Sequence, residues 1–208
     1  METFQLEKNF GQCVLRASGA LRSRGVIIYP TDTLYGLGAD ALSDEAVAKI
    51  YTIKGRNEGK PMHAVFADLE MVAEYAEVND VAKRLAEEFL PGALTLILKK
   101  KPSVQSGIAK GIDTIGIRIP DNDFCLELAR TFGKPYTATS ANKAGNPPQL
   151  STEKVLEQLG ESAEKVTLVI DAGLLPMSLP TTVLNVVSGA PSILREGAIS
   201  AAEILKFA

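Results

Sequence analysis

Several groups of residues in this 208-residue sequence have the types and spacing to meet an anionic or amino-acid ligand. Thr31, Asp32 and Thr33 put three short oxygen-bearing side chains in one loop, and Gly36 and Gly38 let the backbone turn or approach a ligand there. Lys54-Gly55-Arg56 and Lys60 supply three cations in seven positions around Gly55 and Gly59. Phosphate oxygens select those types, Arg through its planar fork and Lys as a point charge. No Gly-Lys-Ser/Thr follows, so this is not a Walker A loop. The same cations would also suit a helix C-terminus or plain solvent, and both readings stand. Thr114, Gly116 and Arg118 share one strand face, where Arg118 suits a carboxylate; an edge strand with Arg118 in water is the alternative. Ser140 and Asn142 repeat the first loop's pattern, hydroxyl and amide after a strand, and Arg195 lies in another short strand.

The pattern of apolar residues assigns an element to each of these groups. Val26-Ile27-Ile28 is short and β-branched and reads as a buried strand, with Pro30 ending its ladder and the polar loop running on to Gly38. The carboxyl end of such a strand is where ligands sit in α/β sheets, although an ordinary turn would look the same. Helices are expected over Leu6 to Arg22, from Ser43 to Ile53, over Asn79 to Phe89, over Asp123 to Thr131, after Ser151 and after Ser200. Strands are expected over Met62 to Phe66, Ala93 to Leu98, Thr114 to Pro120, from Tyr136, over Val166 to Ile170, from Pro180 to Val187 and over Ile193 to Gly197. Lys99-Lys100-Lys101 reads as a solvated strand end. Strands and helices interleave without strict alternation, which argues for a mixed sheet in a single α/β domain spanning residues 1–208.

Composition removes several classes of function. A formal charge of −3 gives no chain-wide electrostatic reason to bind nucleic acid or membrane. No run approaches the ~18 consecutive apolar residues of a membrane-spanning helix, and Met1 to Phe10 lacks a signal peptide's apolar core, so a cytoplasmic protein is expected. Cys13 and Cys125 match no metal-ligand spacing and read as buried free thiols. His63 is the one histidine, so a multi-histidine zinc site cannot be built and no metal ligand set is expected. On its strand it reads as packed or exposed rather than catalytic.

Taken in order, Pro30 to Gly38, Lys54-Gly55-Arg56, Lys60-Pro61, Thr114 to Arg118, Ser140-Ala141-Asn142, Pro180 to Val183 and Leu194 to Gly197 resemble the YrdC-like family of threonylcarbamoyl-AMP synthases. The resemblance runs from residue 26 to about residue 199 and matches the family's short form, without the additional C-terminal domain of longer members. It implies a twisted mixed β-sheet with flanking helices around a large, positively lined concave cleft. It also implies a reaction of L-threonine, bicarbonate or CO2, and ATP that yields threonylcarbamoyl-AMP and pyrophosphate. Downstream proteins would then pass the threonylcarbamoyl group to an adenosine of tRNA.

Carried over by position, the resemblance places L-threonine against Thr33, Thr114, Arg118, the Ala138 backbone and Thr181. Nucleotide and phosphates would meet Arg56, Lys60, Ser140, Asn142 and Arg195, with Lys54 and Arg56 neutralising charge in catalysis. Mg2+ would arrive on the ATP phosphates. Two positions depart from the family pattern: Val65 stands where many relatives have a histidine, with His63 two residues earlier, and Pro148 stands where a hydroxyl is common. Two other functions are consistent with the same fold, an RNA-binding module using a basic cleft and a paralogue with changed specificity.

Overall fold

The structure, a computed structural model, describes residues 1–56 and 61–207. From the amino end, β1 (Glu2–Gln5) and α1 (Phe10–Arg22) precede β2 (Ile27–Pro30) and β3 (Tyr35–Gly38). There follow α2 (Asp44–Lys54), β4 (His63–Val65), α3 (Leu69–Tyr75), β5 (Ala76–Glu77) and α4 (Asp80–Phe89). Next come β6 (Leu94–Lys100), β7 (Thr114–Arg118), α5 (Asp123–Phe132) and β8 (Tyr136–Ser140). The remainder comprises α6 (Thr152–Leu159), β9 (Leu168–Asp171), β10 (Thr182–Asn185), β11 (Ser192–Arg195) and α7 (Ala201–Ile204).

Among the described residues, eleven strands form one mixed sheet in the order β1-β9-β2-β3-β8-β4-β7-β6-β10-β11, with β5 paired to β6 off this path. β9 runs parallel to both β1 and β2 and separates them. β4 lies between β7, parallel, and β8, antiparallel. Alternate residues of a strand face opposite sides, so the sheet carries an apolar cluster on each. Ile28, Leu37, Ala64 and Ile117 belong to one. Ile27, Tyr29, Val65 and Tyr136 belong to the other, together with Cys13 and Leu21 of α1 and Phe124 and Leu128 of α5. Both cysteines are buried free thiols, and burial pushes Cys125 up to about 12.

The helix starts follow their capping residues. Ser43, Asn79, Asn122 and Ser151 each accept a backbone N–H from the residue three positions on, and Ser200 forms a reciprocal capping box with Glu203. Such caps are each worth about 1 kcal/mol. Gly55, at φ 59°, ends α2 in the left-handed region that a residue with a Cβ avoids.

Four expectations from the sequence are corrected. The stretch to Gly38 is not all loop: Thr31 to Leu34 turn the chain, and Tyr35–Gly38 returns as β3 against β2. Gly36 is there for packing, since a Cβ on it would stand 2.8 Å from the Tyr29 ring. α1 begins at Phe10 because Glu2–Gln5 is spent as a strand on β9, followed by a 3-10 turn over Leu6–Lys8. Lys100 is no solvated strand end: it is buried, and its ammonium donates to the Ala109 carbonyl at 3.0 Å. α3, whose start is capped by Asp68, was not foreseen.

Candidate active site

The β2–β3 turn is held by Thr31, whose hydroxyl donates to the Leu34 carbonyl at 2.7 Å and accepts the Leu34 N–H at 3.0 Å. This side-chain turn fixes the two residues between. Thr33 therefore faces a cavity of about 550 Å3, also bordered by Tyr29, Gly36, Ala138, Ser140 and Pro148. That volume is ordinary for a small-molecule site.

Arg118 closes β7 at the cavity wall. Its guanidinium is 8% exposed, ion-paired with the Asp32 carboxylate, itself 12% exposed, and donates to Thr33 Oγ1 at 3.1 Å. The reading of Arg118 in water is thereby excluded. Asp32 also accepts the Asp121 N–H at 3.2 Å, which fixes the carboxylate beside the arginine. Also in the lining, Arg195 donates to the Thr181 carbonyl at 2.8 Å and to Thr181 Oγ1 at 3.0 Å, and Thr95 Oγ1 lies 2.9 Å from that same hydroxyl. Arg56, just past α2, reaches the Pro61 carbonyl at 3.1 Å.

The electrostatics of this wall are one-sided. Nε of Arg56 and Nε of Arg118 are the buried side-chain polar atoms without a hydrogen-bond partner among the described residues. Buried donors in proteins are normally satisfied, so these two arginines, which line one cavity, leave part of their hydrogen-bonding capacity unused. His63 lines the same cavity, and burial followed by Arg195, Arg118 and Arg56 lowers it to about 4, leaving it neutral at pH 7. The site is thus built to hold negative charge.

Arg56, Thr33, Arg118, Ala138, Thr181, Ser140 and Arg195, all expected from the sequence, are brought together at this cavity. Three expected ligands stand outside its lining. Lys54 is buried beneath the wall, 4% exposed, donating to the Ser140 carbonyl and, at 3.0 Å each, to the Asn142 carbonyl and Oδ1. Burial, then Arg56, lowers its ammonium to about 8, so it stays largely charged at pH 7. Asn142 spends its amide on the Lys143 and Asn146 carbonyls, at 3.0 and 2.6 Å. Thr114 is the far end of β7, opposite Lys99. Lys60 lies outside the described residues. His63, Thr95 and Ser178 belong to the site yet were not assigned to it from the sequence; Asp32, in the loop read as a ligand site, serves as the partner of Arg118; Ser178, which donates to the Thr33 carbonyl at 2.8 Å, sits in a run with no motif to mark it.

A mixed sheet whose strand ends surround a cavity lined with guanidinium groups and threonine hydroxyls defines a protein that binds a small anionic ligand, and comparison with known proteins names its kind. The Sua5/YciO/YrdC family model, described as telomere recombination, matches residues 19–197, and the chain belongs to that family. A Methanocaldococcus jannaschii protein provisionally named threonylcarbamoyl-AMP synthase is 41% identical over 84% of this chain and 80% of its own length. The threonylcarbamoyl-AMP synthase of Bacillus subtilis is 36% identical over 97% of this chain and 58% of its own. The crystal structure of Pyrococcus abyssi Sua5 complexed with L-threonine superimposes with a TM-score of 0.86 at 34% identity, over 93% of this chain and 56% of that one. The chain thus spans little more than half the length of the last two. No helix among the described residues is long and apolar enough to cross a membrane.

Proposed function

We propose that this protein is a threonylcarbamoyl-AMP synthase, joining L-threonine, bicarbonate or CO2, and ATP to give threonylcarbamoyl-AMP and pyrophosphate. The observation that carries this reading, in a chain of this family, is the convergence of Arg56, Arg118 and Arg195 with the hydroxyls of Thr33 and Thr181 on one cavity. Arg118 takes the amino-acid carboxylate, with Thr33, Thr181 and the Ala138 backbone around the rest of L-threonine. Arg56, Arg195, Ser140 and Lys60 take the nucleotide and its phosphates.

Lys54 and Asn142 act one step back, holding the Ser140 end of β8 in place through the hydrogen bonds above. Thr114 serves the strand that carries Arg118. No protein nucleophile is required: the carbamate oxygen attacks the α-phosphorus, and the site aligns the reactants while Arg56 and Arg195 stabilise the charge that develops on phosphate. Among the described residues no three His, Cys, Asp or Glu side chains are grouped to hold a metal ion. Mg2+ would therefore enter bound to the triphosphate, as part of the substrate. The same reading assigns the product to downstream proteins that modify tRNA, in the cytoplasm. An RNA-binding role is not favoured, the curated relatives being named as synthases.

The test is pyrophosphate release from Mg-ATP by purified protein, with threonine and bicarbonate omitted singly and serine as control. Release that needs both, together with an AMP-linked product, supports the proposal. No release under any condition refutes it.

A further inference from the structure

The chain's one histidine is placed as a reactive group would be, and the reaction proposed above leaves one proton without an acceptor. His63 opens β4, with Gly116 of β7 and Ala138 of β8 as its register partners. Neither neighbour crowds it. A Cβ on Gly116 would stand 2.5 Å from His63 Cδ2, so the missing side chain is the space the imidazole occupies. Among the described residues its ring nitrogens have no hydrogen-bond partner, and the ring borders the cavity. Val65, where the resemblance expects a histidine, lies on the same face of β4 but is fully buried in the apolar cluster with Tyr29 and Tyr136.

We propose that His63 is a catalytic residue, taking the proton that the substrate amine loses as it becomes a carbamate. The role rests on the synthase reading. Val65, not His63, is the register partner of Arg118, so His63 lies one pleat away on the same side of β4. An amino acid whose carboxylate rests on Arg118 carries its amine one carbon away, within the span between those two positions. In the step, the ammonium gives one proton to bicarbonate, which leaves as water and CO2. The amine lone pair then forms the N–C bond while one C=O electron pair moves onto oxygen. The remaining excess N–H proton goes to an imidazole nitrogen of His63, and solvent later recovers it.

The charged groups around His63 make this basicity conditional. The guanidinium groups of Arg195, Arg118 and Arg56 face it from β11, β7 and the segment after α2, and Asp32 offsets only the second. Burial first, and then these cations, oppose a positive charge on the ring, so the ring is a poor base. A carboxylate on Arg118 and phosphates on Arg56 and Arg195 remove the cations' share of that opposition. The base becomes competent only when both anionic substrates are bound, which delays carbamate formation until ATP is present to trap it.

Because there is one histidine, its Cε1–H resonance can be followed without assignment ambiguity. The NMR titration midpoint of the free protein should rise by at least one pH unit with L-threonine, Mg2+ and a nonhydrolysable ATP analogue together. Each alone should produce less. In parallel, His63→Asn and His63→Gln should lose about tenfold or more in kcat at pH 7, in keeping with general-base contributions of ~10²–10⁴. KM for ATP should stay within about twofold, and the acidic limb of the kcat profile should disappear. A midpoint unmoved by ligands that demonstrably bind, or variants with kcat within twofold of wild type across the pH range, would overturn the proposal. Wild-type protein that makes no adenylate refutes the synthase reading itself, and this role with it.

Discussion

Replacing Asp32 by asparagine removes the charge that holds Arg118. Asparagine keeps the size of the side chain and one oxygen, but its amide nitrogen replaces one of the two acceptors that meet Arg118 and the Asp121 N–H, so the charge and one accepted hydrogen bond are lost together. Arg118 and Asp32 are 8% and 12% exposed, which makes them a buried ion pair. Breaking such a pair by removing one partner costs ~3–5 kcal/mol. Arg118 retains the Thr33 hydroxyl, which places the expected loss near the lower end, about 3 kcal/mol. For a chain of this size each kcal/mol lowers the melting temperature by ~2–4 °C, so Asp32→Asn should melt roughly 6–12 °C below wild type. Saturating L-threonine supplies a second carboxylate to the same guanidinium. The gap between variant and wild type should therefore narrow when threonine is added, and the variant should bind threonine at least as tightly. Differential scanning calorimetry with and without threonine measures both effects. A variant melting within about 2 °C of wild type, or a gap that threonine leaves unchanged, would show that Asp32 does not hold Arg118 against the pull of a ligand carboxylate.

Arg118→Ala should raise KM for threonine at least tenfold while changing KM for ATP little; equal increases in both would remove it as the carboxylate anchor. Arg56→Ala should lose adenylate formation yet retain stability within about 1 kcal/mol, because among the described residues its guanidinium makes a single bond, to the Pro61 carbonyl; wild-type turnover would be the contrary result. Lys54→Met should do the reverse, losing about 3 kcal/mol in urea unfolding, since it strips the donor from the Ser140 carbonyl and both Asn142 oxygens. Unimpaired stability with a raised KM for ATP would instead identify Lys54 as a direct phosphate ligand. Acid stability has a definite sign at His63: its folded value of about 4 lies below the ordinary 6.5, so the unfolded chain binds the proton first as pH falls. This contribution is complete above pH 6.5 and lost by about pH 4, at most about 3 kcal/mol, and His63→Gln should flatten the urea-stability profile over that window.

The features legible in the sequence were those governed by local chemistry. Ser43, Asn79, Ser151 and Ser200 announced their helices because a cap is satisfied within three residues of itself. The placing of Arg118 on one strand face with Gly116 was legible because a strand's period of two is fixed by its backbone, whatever lies opposite; the carboxylate it meets in the fold is that of Asp32. Lys54 and Lys100 were misplaced for one common reason: nothing near a lysine in sequence reveals a carbonyl waiting for it in the fold. Lys54 meets Ser140 and Asn142, and Lys100 meets a loop beyond its own strand. β3 was hidden because Gly36 and Gly38 suggest a loop, whereas their smallness answers to the Tyr29 ring across the hairpin. His63 was read as packed or exposed because the arginines that surround it come from three distant elements.

The position of β9 bears on the birth of the molecule. β1 and β2 have no ladder with each other; both pair with Leu168–Asp171, which the ribosome delivers long after them. Until that segment emerges, the apolar strand at Ile27–Pro30 lacks one of its two neighbours, and an open strand edge invites association with other chains. Thr181 and Arg195, which also line the cavity, are synthesised later still. A synonymous change that slows elongation before residue 168 should therefore lengthen the exposure of this open edge to chaperones and proteases.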